Sequence, residues 1–362
     1  MHRLPITARR TFVWLIVPLV LGGVLALAPV GTAGPAQLGM CISLRDTDAA
    51  TASREFDLMA AMKVTWVRAD FDWSAIETQR GQFDWTYPDR VVNEASARGM
   101  KVVALIGYTP PWAHPPGTTS HAPPDRVSDY ANFASAAAAR YAPRGVRTWE
   151  IWNEPNSSEF WQPRPDPDGY GQLFRAAAGA IREKDPGATL LTAGLTRGAD
   201  TADGATVSQS TYLERLYANG TAQLASAVAI HPYSFPWLPS DHPPALVGGF
   251  NDLPKLHKLM ARHGDAGKKI WITEFGAATG TALGAMSAAD QAETIVSARR
   301  QVPYWDWVGP LIYYELRDEG TDRGDIQQNF GVLRRDLSLK PAAKALMEQG
   351  KGSARSDGPF AG

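Results

Sequence analysis

A single (β/α)8 barrel is the fold class that the sequence predicts, and three observations predict it. Short apolar runs alternate along the chain with amphipathic or Ala-rich stretches, the rhythm of parallel strands joined by crossover helices. Eight runs of each kind occur in strict alternation. No Gly-rich phosphate turn follows the first strand, as a doubly wound open sheet would require.

In order, the predicted strands are 38–42, 64–69, 101–106, 148–152, 189–193, 227–230, 269–273 and 308–313, each a short apolar run. Between them the pattern predicts helices over 53–62, 89–98, 125–141, 169–183, 211–218, 251–263 and 288–301, and an eighth over 340–349. Gly99, Gly145, Gly187 and Gly264 stand behind helices, where a left-handed cap residue is expected.

Residues 1–36 are read as an address and left out of the fold. Arg9 and Arg10 precede an apolar run that ends in small residues, the order of a secretory signal with cleavage after Ala36 or Ala33. An uncleaved anchor, tethering the protein to a membrane, is the alternative. Residues 37–350 form the barrel domain, and 351–362 are a Gly- and Ser-rich flexible tail. Cys41 is read as a buried strand residue and not as a lipoprotein box. The expected location is outside the cytoplasm, secreted or in the cell envelope.

Composition narrows the function. Hydrophobic residues make up 44% and charged residues 20%, which excludes a mostly disordered chain. Thirty-six Lys and Arg balance 37 Asp and Glu, so no overall field draws the protein to nucleic acid. One cysteine forbids an internal disulfide and a Cys-rich zinc site. No His-Glu-x-x-His pair or Gly-x-Ser-x-Gly elbow occurs, and the acids Asp318, Glu319, Asp322 and Asp325 read as solvated rather than calcium-binding. No metal, cofactor or obligate protein partner is expected. Twelve tryptophans are many for an ordinary core and suit a cleft that stacks on sugar rings.

In a barrel the chemistry sits at the C-terminal ends of the strands. The fourth predicted strand runs into Trp152-Asn153-Glu154-Pro155-Asn156, and the seventh into Trp271-Ile272-Thr273-Glu274-Phe275-Gly276. Two glutamates facing each other across one mouth are what glycoside hydrolysis needs: one protonates the leaving oxygen, the other attacks the anomeric carbon or activates water. Strand alternation places Glu150, Trp152 and Glu154 on one inward side, with Glu150 too deep to reach substrate. Glu77 is read as a loop tether and Glu315 as a neighbour of the site or a sugar contact.

These two segments resemble the acid/base and nucleophile motifs of retaining glycoside hydrolases of clan A. Trp66-Val67-Arg68, Trp73–Asp84, Thr109-Pro110-Pro111-Trp112-Ala113, His231-Pro232-Tyr233 and Tyr313-Tyr314-Glu315-Leu316-Arg317-Asp318 extend the resemblance over the rest of the chain. The nearest branch is the family 39 β-xylosidase-like enzymes and the cellulase-like sequences around them. The resemblance implies Glu154 as acid/base, Glu274 as nucleophile, Asn153 as ligand of the sugar 2-hydroxyl and Tyr233 as the residue orienting the nucleophile. His231 becomes a polar wall residue. Arg68 is expected beside Glu274, keeping it ionised, or in a barrel-floor pair with Glu150. Trp112, Trp161 and Tyr314 are candidate sugar platforms, Tyr314 standing where many clan members carry Trp. Phe235-Pro236-Trp237 is expected to extend the cleft. The implied partner is a polysaccharide or oligosaccharide, cleaved by double displacement. A glycan-binding barrel without turnover and a transglycosylase are the alternatives.

Overall fold

The computed structural model describes residues 37–44 and 47–349; the predicted signal segment and tail lie outside the described residues. Nine parallel strands form one sheet: β1 Leu38–Cys41, β2 Trp66–Asp72, β3 Lys101–Gly107, β4 Thr148–Ile151, β5 Thr189–Leu191, β6 Leu195–Thr196, β7 Val228–His231, β8 Ile270–Ile272 and β9 Val308–Tyr313. Their spatial order is β5-β4-β3-β2-β1-β9-β8-β7-β6. The two edge strands are consecutive in sequence, and single bridges Leu191–Ala227 and Asn153–Gly194 join the edges. The sheet therefore closes into the (β/α)8 barrel, with β5 and β6 as two halves of one barrel strand.

That split corrects the fifth predicted strand, and side chains cause it. At Ala193 the backbone N–H donates to the Tyr170 hydroxyl at 2.7 Å, and at Gly194 it donates to Oε1 of Glu150 at 3.0 Å. Thr192 Oγ1 accepts from the Ala229 N–H at 3.0 Å. Side chains satisfy the groups a ladder would have used, so the strand kinks without leaving them orphaned.

The helices are α1 Ala49–Ala61, α2 Trp73–Ile76, α3 Thr86–Ala97, α4 Val127–Tyr141, α5 Pro167–Lys184, α6 Gln209–Ala218, α7 Thr221–Leu224, α8 Leu253–Arg262, α9 Ala288–Gln301 and α10 Pro341–Gln349. The one-turn α2 and α7 go beyond the eight predicted. Asp48, Asp166, Ser208 and Ser287 cap α1, α5, α6 and α9 through side-chain oxygens, each worth about 1 kcal/mol. Gly99, Gly145 and Gly264 take the expected left-handed conformation; Gly187 does not, because Asp185 ends α5 and its side chain accepts the Gly187 N–H instead. None of the described helices is long and apolar enough to cross a membrane.

Alternation along the strands separates two apolar layers. Val67, Ala69 and Phe71 of β2 join the large core between barrel and helices, where Phe71 meets Tyr141 of α4 and Trp149 of β4 edge-on. Trp66 faces the barrel interior with Cys41, Val103, Leu191, Ala229 and Ile312, forming a small apolar floor. Farther along β2, Arg68, Asp70 and Asp72 line the cleft above that floor.

Candidate active site

The cleft has a volume of about 800 Å³ and opens at the C-terminal ends of the strands. Arg68 organises its base. It is 3% exposed, and its planar fork serves three acceptors at once: Nε donates to Glu150 at 2.6 Å, Nη1 to Oε1 of Glu274 at 2.6 Å, and Nη2 to Oδ1 of Asn153 at 3.0 Å. Both positions expected for Arg68 are thus occupied together. Because Oδ1 of Asn153 is taken, its amide NH2 is the end left to address a ligand in the cleft.

Glu274 follows β8. Besides Arg68, it accepts the Tyr233 hydroxyl on Oε2 at 2.7 Å. Burial alone would raise its carboxyl pKa, but the charges of His231 and Arg68 and the bonds from Tyr233 and Arg68 outweigh it and hold the group below the ordinary glutamate range. Glu154 lies at the exit of β4. Burial pushes its carboxyl up, reinforced by the negative charge of Glu274 and only partly offset by His231, whose Nδ1 stands 2.7 Å from Oε1. An oxygen of Glu154, one of Glu274 and a ring nitrogen of His231 lie within 4.8 Å of one another. This is the one trio of potential metal ligands among the described residues. It fits a divalent cation poorly, since Arg68 already neutralises Glu274 and His231 occupies Glu154.

The backbone that aims Glu154 is unusual. Trp152 and Glu154 both have positive φ, 73° and 43°, a conformation costing non-glycine residues roughly 1–2 kcal/mol each. Buried contacts hold it in place: Trp152 Nε1 donates to the Phe160 carbonyl, and the Glu154 N–H donates to the Gly194 carbonyl at 3.0 Å. Here the expectation of simple alternation fails. β4 ends at Ile151, and the Trp152 ring packs against Tyr108, Tyr130 and Trp161 instead of facing inward with Glu150 and Glu154.

Arg68, Asn153, Glu154, Tyr233, Glu274 and Tyr314 all line the cleft, and His231 is buried directly behind the two carboxyls. Two expected platforms do not join them. Trp161 is 2% exposed, wedged between Trp152 and Tyr170, and has no face to offer a sugar. Trp112 lies outside the cleft lining, with Nε1 bonded to the Glu77 carbonyl and its ring between Trp73 and the Arg80 guanidinium. Glu77 tethers the loop after β2 by accepting from Trp73 Nε1 and the Gly81 N–H. Asp322 and Asp325 accept turn N–H groups, and Asp318 pairs with Lys340.

Sequence reasoning missed Asp70, Asp72, Tyr108, Arg197 and Phe330 in the lining. The first two carry a usable signal, the period-two continuation of β2 past Arg68. Phe235 lines the cleft as expected, whereas Trp237 is 38% exposed and is not in the lining. Glu315 lines the cleft next to Tyr314, 3% exposed with Oε1 lacking a hydrogen bond, and burial pushes its carboxyl well above the usual range.

A parallel barrel with paired carboxyls at its C-terminal mouth defines a glycoside-hydrolase-type protein. Residues 36–309 match the family model for cellulase (glycosyl hydrolase family 5), and the chain belongs to that family, within the clan its motifs resemble. A β-xylosidase of Geobacillus stearothermophilus is 28% identical over 116 residues, 29% of this chain and 23% of that protein. Among solved structures, a family 39 glycoside hydrolase from Bacteroides cellulosilyticus WH2 aligns with TM-score 0.67 and 24% identity over 87% of this chain and 63% of its own. A monomeric β-xylosidase from Caulobacter crescentus CB15 aligns with TM-score 0.66 and 19% identity over 88% and 69%. The chain thus spans less than two thirds of the first of these structures and about a quarter of the curated β-xylosidase.

Proposed function

We propose that this protein is an exported retaining glycosidase that cleaves O-glycosidic bonds in a polysaccharide or oligosaccharide. Glu274 is the nucleophile and Glu154 the acid/base. The observation that carries the reading is the pairing itself: two carboxyls with oxygens within 4.8 Å, one biased towards ionisation and the other towards protonation. Oxygens this near accord with the gap of about 5–5.5 Å between carboxyl groups that favours direct attack; a water between them would need about 6.5 Å or more. Asn153 supplies a donor for the sugar 2-hydroxyl, and Tyr314 offers an apolar face in the cleft.

Export, with or without membrane tethering, rests on residues 1–36. Digestion of a panel of xylan, mannan, glucan and galactan, with NMR of the first product anomer, tests the proposal. Retention of the β-configuration is expected. An inverted anomer rejects the nucleophile role of Glu274.

A further inference from the structure

His231 ends β7 fully buried, with both ring nitrogens engaged. Nδ1 stands 2.7 Å from Oε1 of Glu154 and 3.6 Å from Oε2 of Glu274. Nε2 stands 3.1 Å from Oγ1 of Thr273 and 3.9 Å from Oε1 of Glu150. The charged and titratable groups facing the ring are therefore Glu150 and Glu154 from the β4 segment, Glu274 after β8, Arg68 from β2 and Tyr233 beyond β7.

A hydroxyl has a single proton to give. Thr273 donates its proton to Oε1 of Glu150 at 2.9 Å, so it meets Nε2 of His231 as an acceptor, and Nε2 must carry a proton. Glu150 is held in place on both oxygens, by Arg68 Nε at 2.6 Å and by the Gly194 N–H at 3.0 Å. Gly194 also clears space for the ring: a Cβ there would lie 2.0 Å from Nε2.

We infer that Thr273 and Glu150 are positioning residues for the acid/base, holding a proton on Nε2 of His231 so that the ring keeps the orientation in which Nδ1 faces Glu154 and Glu274. The inference rests on the assignment of those two glutamates as the reacting pair. In the first half-reaction the bond between the anomeric carbon and the leaving oxygen breaks. The Glu154 proton passes to that oxygen while Glu274 bonds to the anomeric carbon. One carboxylate loses its charge as the other gains one, both beside Nδ1. In the second half-reaction water attacks the anomeric carbon, its proton goes to Glu154, and Glu274 leaves as the carboxylate. One anion faces Nδ1 throughout, so the ring completes the cycle without gaining or losing a proton.

The test combines 15N NMR of the histidine-labelled full chain with kinetics of wild type, Thr273→Val and Thr273→Ser. The kinetic probes are the phenyl and 2,4-dinitrophenyl β-glycosides of the best-cleaved sugar among xyloside, cellobioside, mannoside and galactoside. In wild type, Nε2 of His231 is expected to be protonated. Thr273→Val should lower the protonated fraction of Nε2. It should slow the phenyl glycoside about 100-fold, the low end of general-acid catalysis, while the dinitrophenyl glycoside changes by less than about 3-fold. Thr273→Ser should restore both readouts. An unprotonated Nε2 in wild type, or an equal loss on both substrates, overturns the inference. A chain that cleaves none of the glycosides rejects the proposed hydrolysis, while the nitrogen spectrum still decides whether Nε2 is protonated, so the two failures are distinguishable.

Discussion

The exits of β4 and β8 present the same side chain at nearly the same depth, Glu154 at 8% and Glu274 at 9% exposure, yet with opposite proton preferences. At the β8 exit Glu274 meets an arginine that cannot release its proton and a tyrosine hydroxyl. At the β4 exit Glu154 meets burial and one imidazole, on a left-handed backbone turn. Neither depth nor residue type sets the role. The fixed cation under Glu274 does, together with its absence under Glu154.

Removing the two carboxyls is the most direct way to break this comparison, and it should give the largest effects. Glu274→Ala is expected to abolish turnover on every substrate with the fold intact by circular dichroism. Glu154→Gln should slow poor leaving groups about 10²–10⁴-fold and spare 2,4-dinitrophenyl glycosides, which need little protonation. Equal losses for the two variants on both leaving groups would mean that the exits do not differ in chemistry.

Arg68→Lys sharpens the comparison by keeping the charge and removing the fork. One ammonium cannot serve Glu150, Glu274 and Asn153 in their present positions. The wild-type rate should rise with pH as Glu274 ionises, at its depressed value, and fall as Glu154 loses its proton, at its raised value. In Arg68→Lys the acidic limb should move to higher pH, because the partner that depresses Glu274 is weakened, and the alkaline limb should stay. We expect kcat/KM at the optimum to drop about 100-fold through misplacement of Glu274. A shift of the alkaline limb alone would assign Arg68 to Glu154.

Gly194→Ala acts through His231, the ring that stands against both exits. The added methyl collides with the His231 ring and must displace it, at a cost of about 1–3 kcal/mol in stability. Activity on poor leaving groups should fall about 10-fold, and the Glu274 limb of the pH profile should move to higher pH, because the displaced imidazole no longer supports the Glu274 carboxylate. Thermal denaturation and pH–rate profiles measure the two effects separately.

The sequence displayed the β8 exit almost completely and the β4 exit only in part. Alternation and apolar runs locate the strands, and motifs resembling a known clan locate Glu154, Glu274, Arg68 and Tyr233. The kink at Thr192–Gly194 was hidden because it depends on Tyr170 and Glu150 reaching across from other elements, which no local pattern records. The left-handed Trp152 and Glu154 were hidden for a related reason. Neither is a glycine, so nothing in the local residue types announces a turn that only tertiary packing can hold. Asp70 and Asp72 were legible and were overlooked, since period two along β2 leads directly to them.

The smallest expected effect separates the aromatics by place rather than by type. Trp112 and Tyr314 look alike as loop or strand-end platforms, but only Tyr314 lines the cleft. The Trp112 ring is spent on Trp73 at 5.5 Å and on the Arg80 guanidinium at 4.1 Å, and its indole N–H on the Glu77 carbonyl at 2.7 Å. Trp112→Phe keeps the ring contacts and loses one buried hydrogen bond, so stability should fall by about 1–2 kcal/mol, with KM unchanged for any glycan. Tyr314→Ala should do the reverse, raising KM several-fold with little change in stability, because a half-buried ring facing the cleft contributes to binding more than to the core. A several-fold rise in KM for Trp112→Phe would place a sugar unit against that ring and extend the binding cleft beyond the residues that line it here.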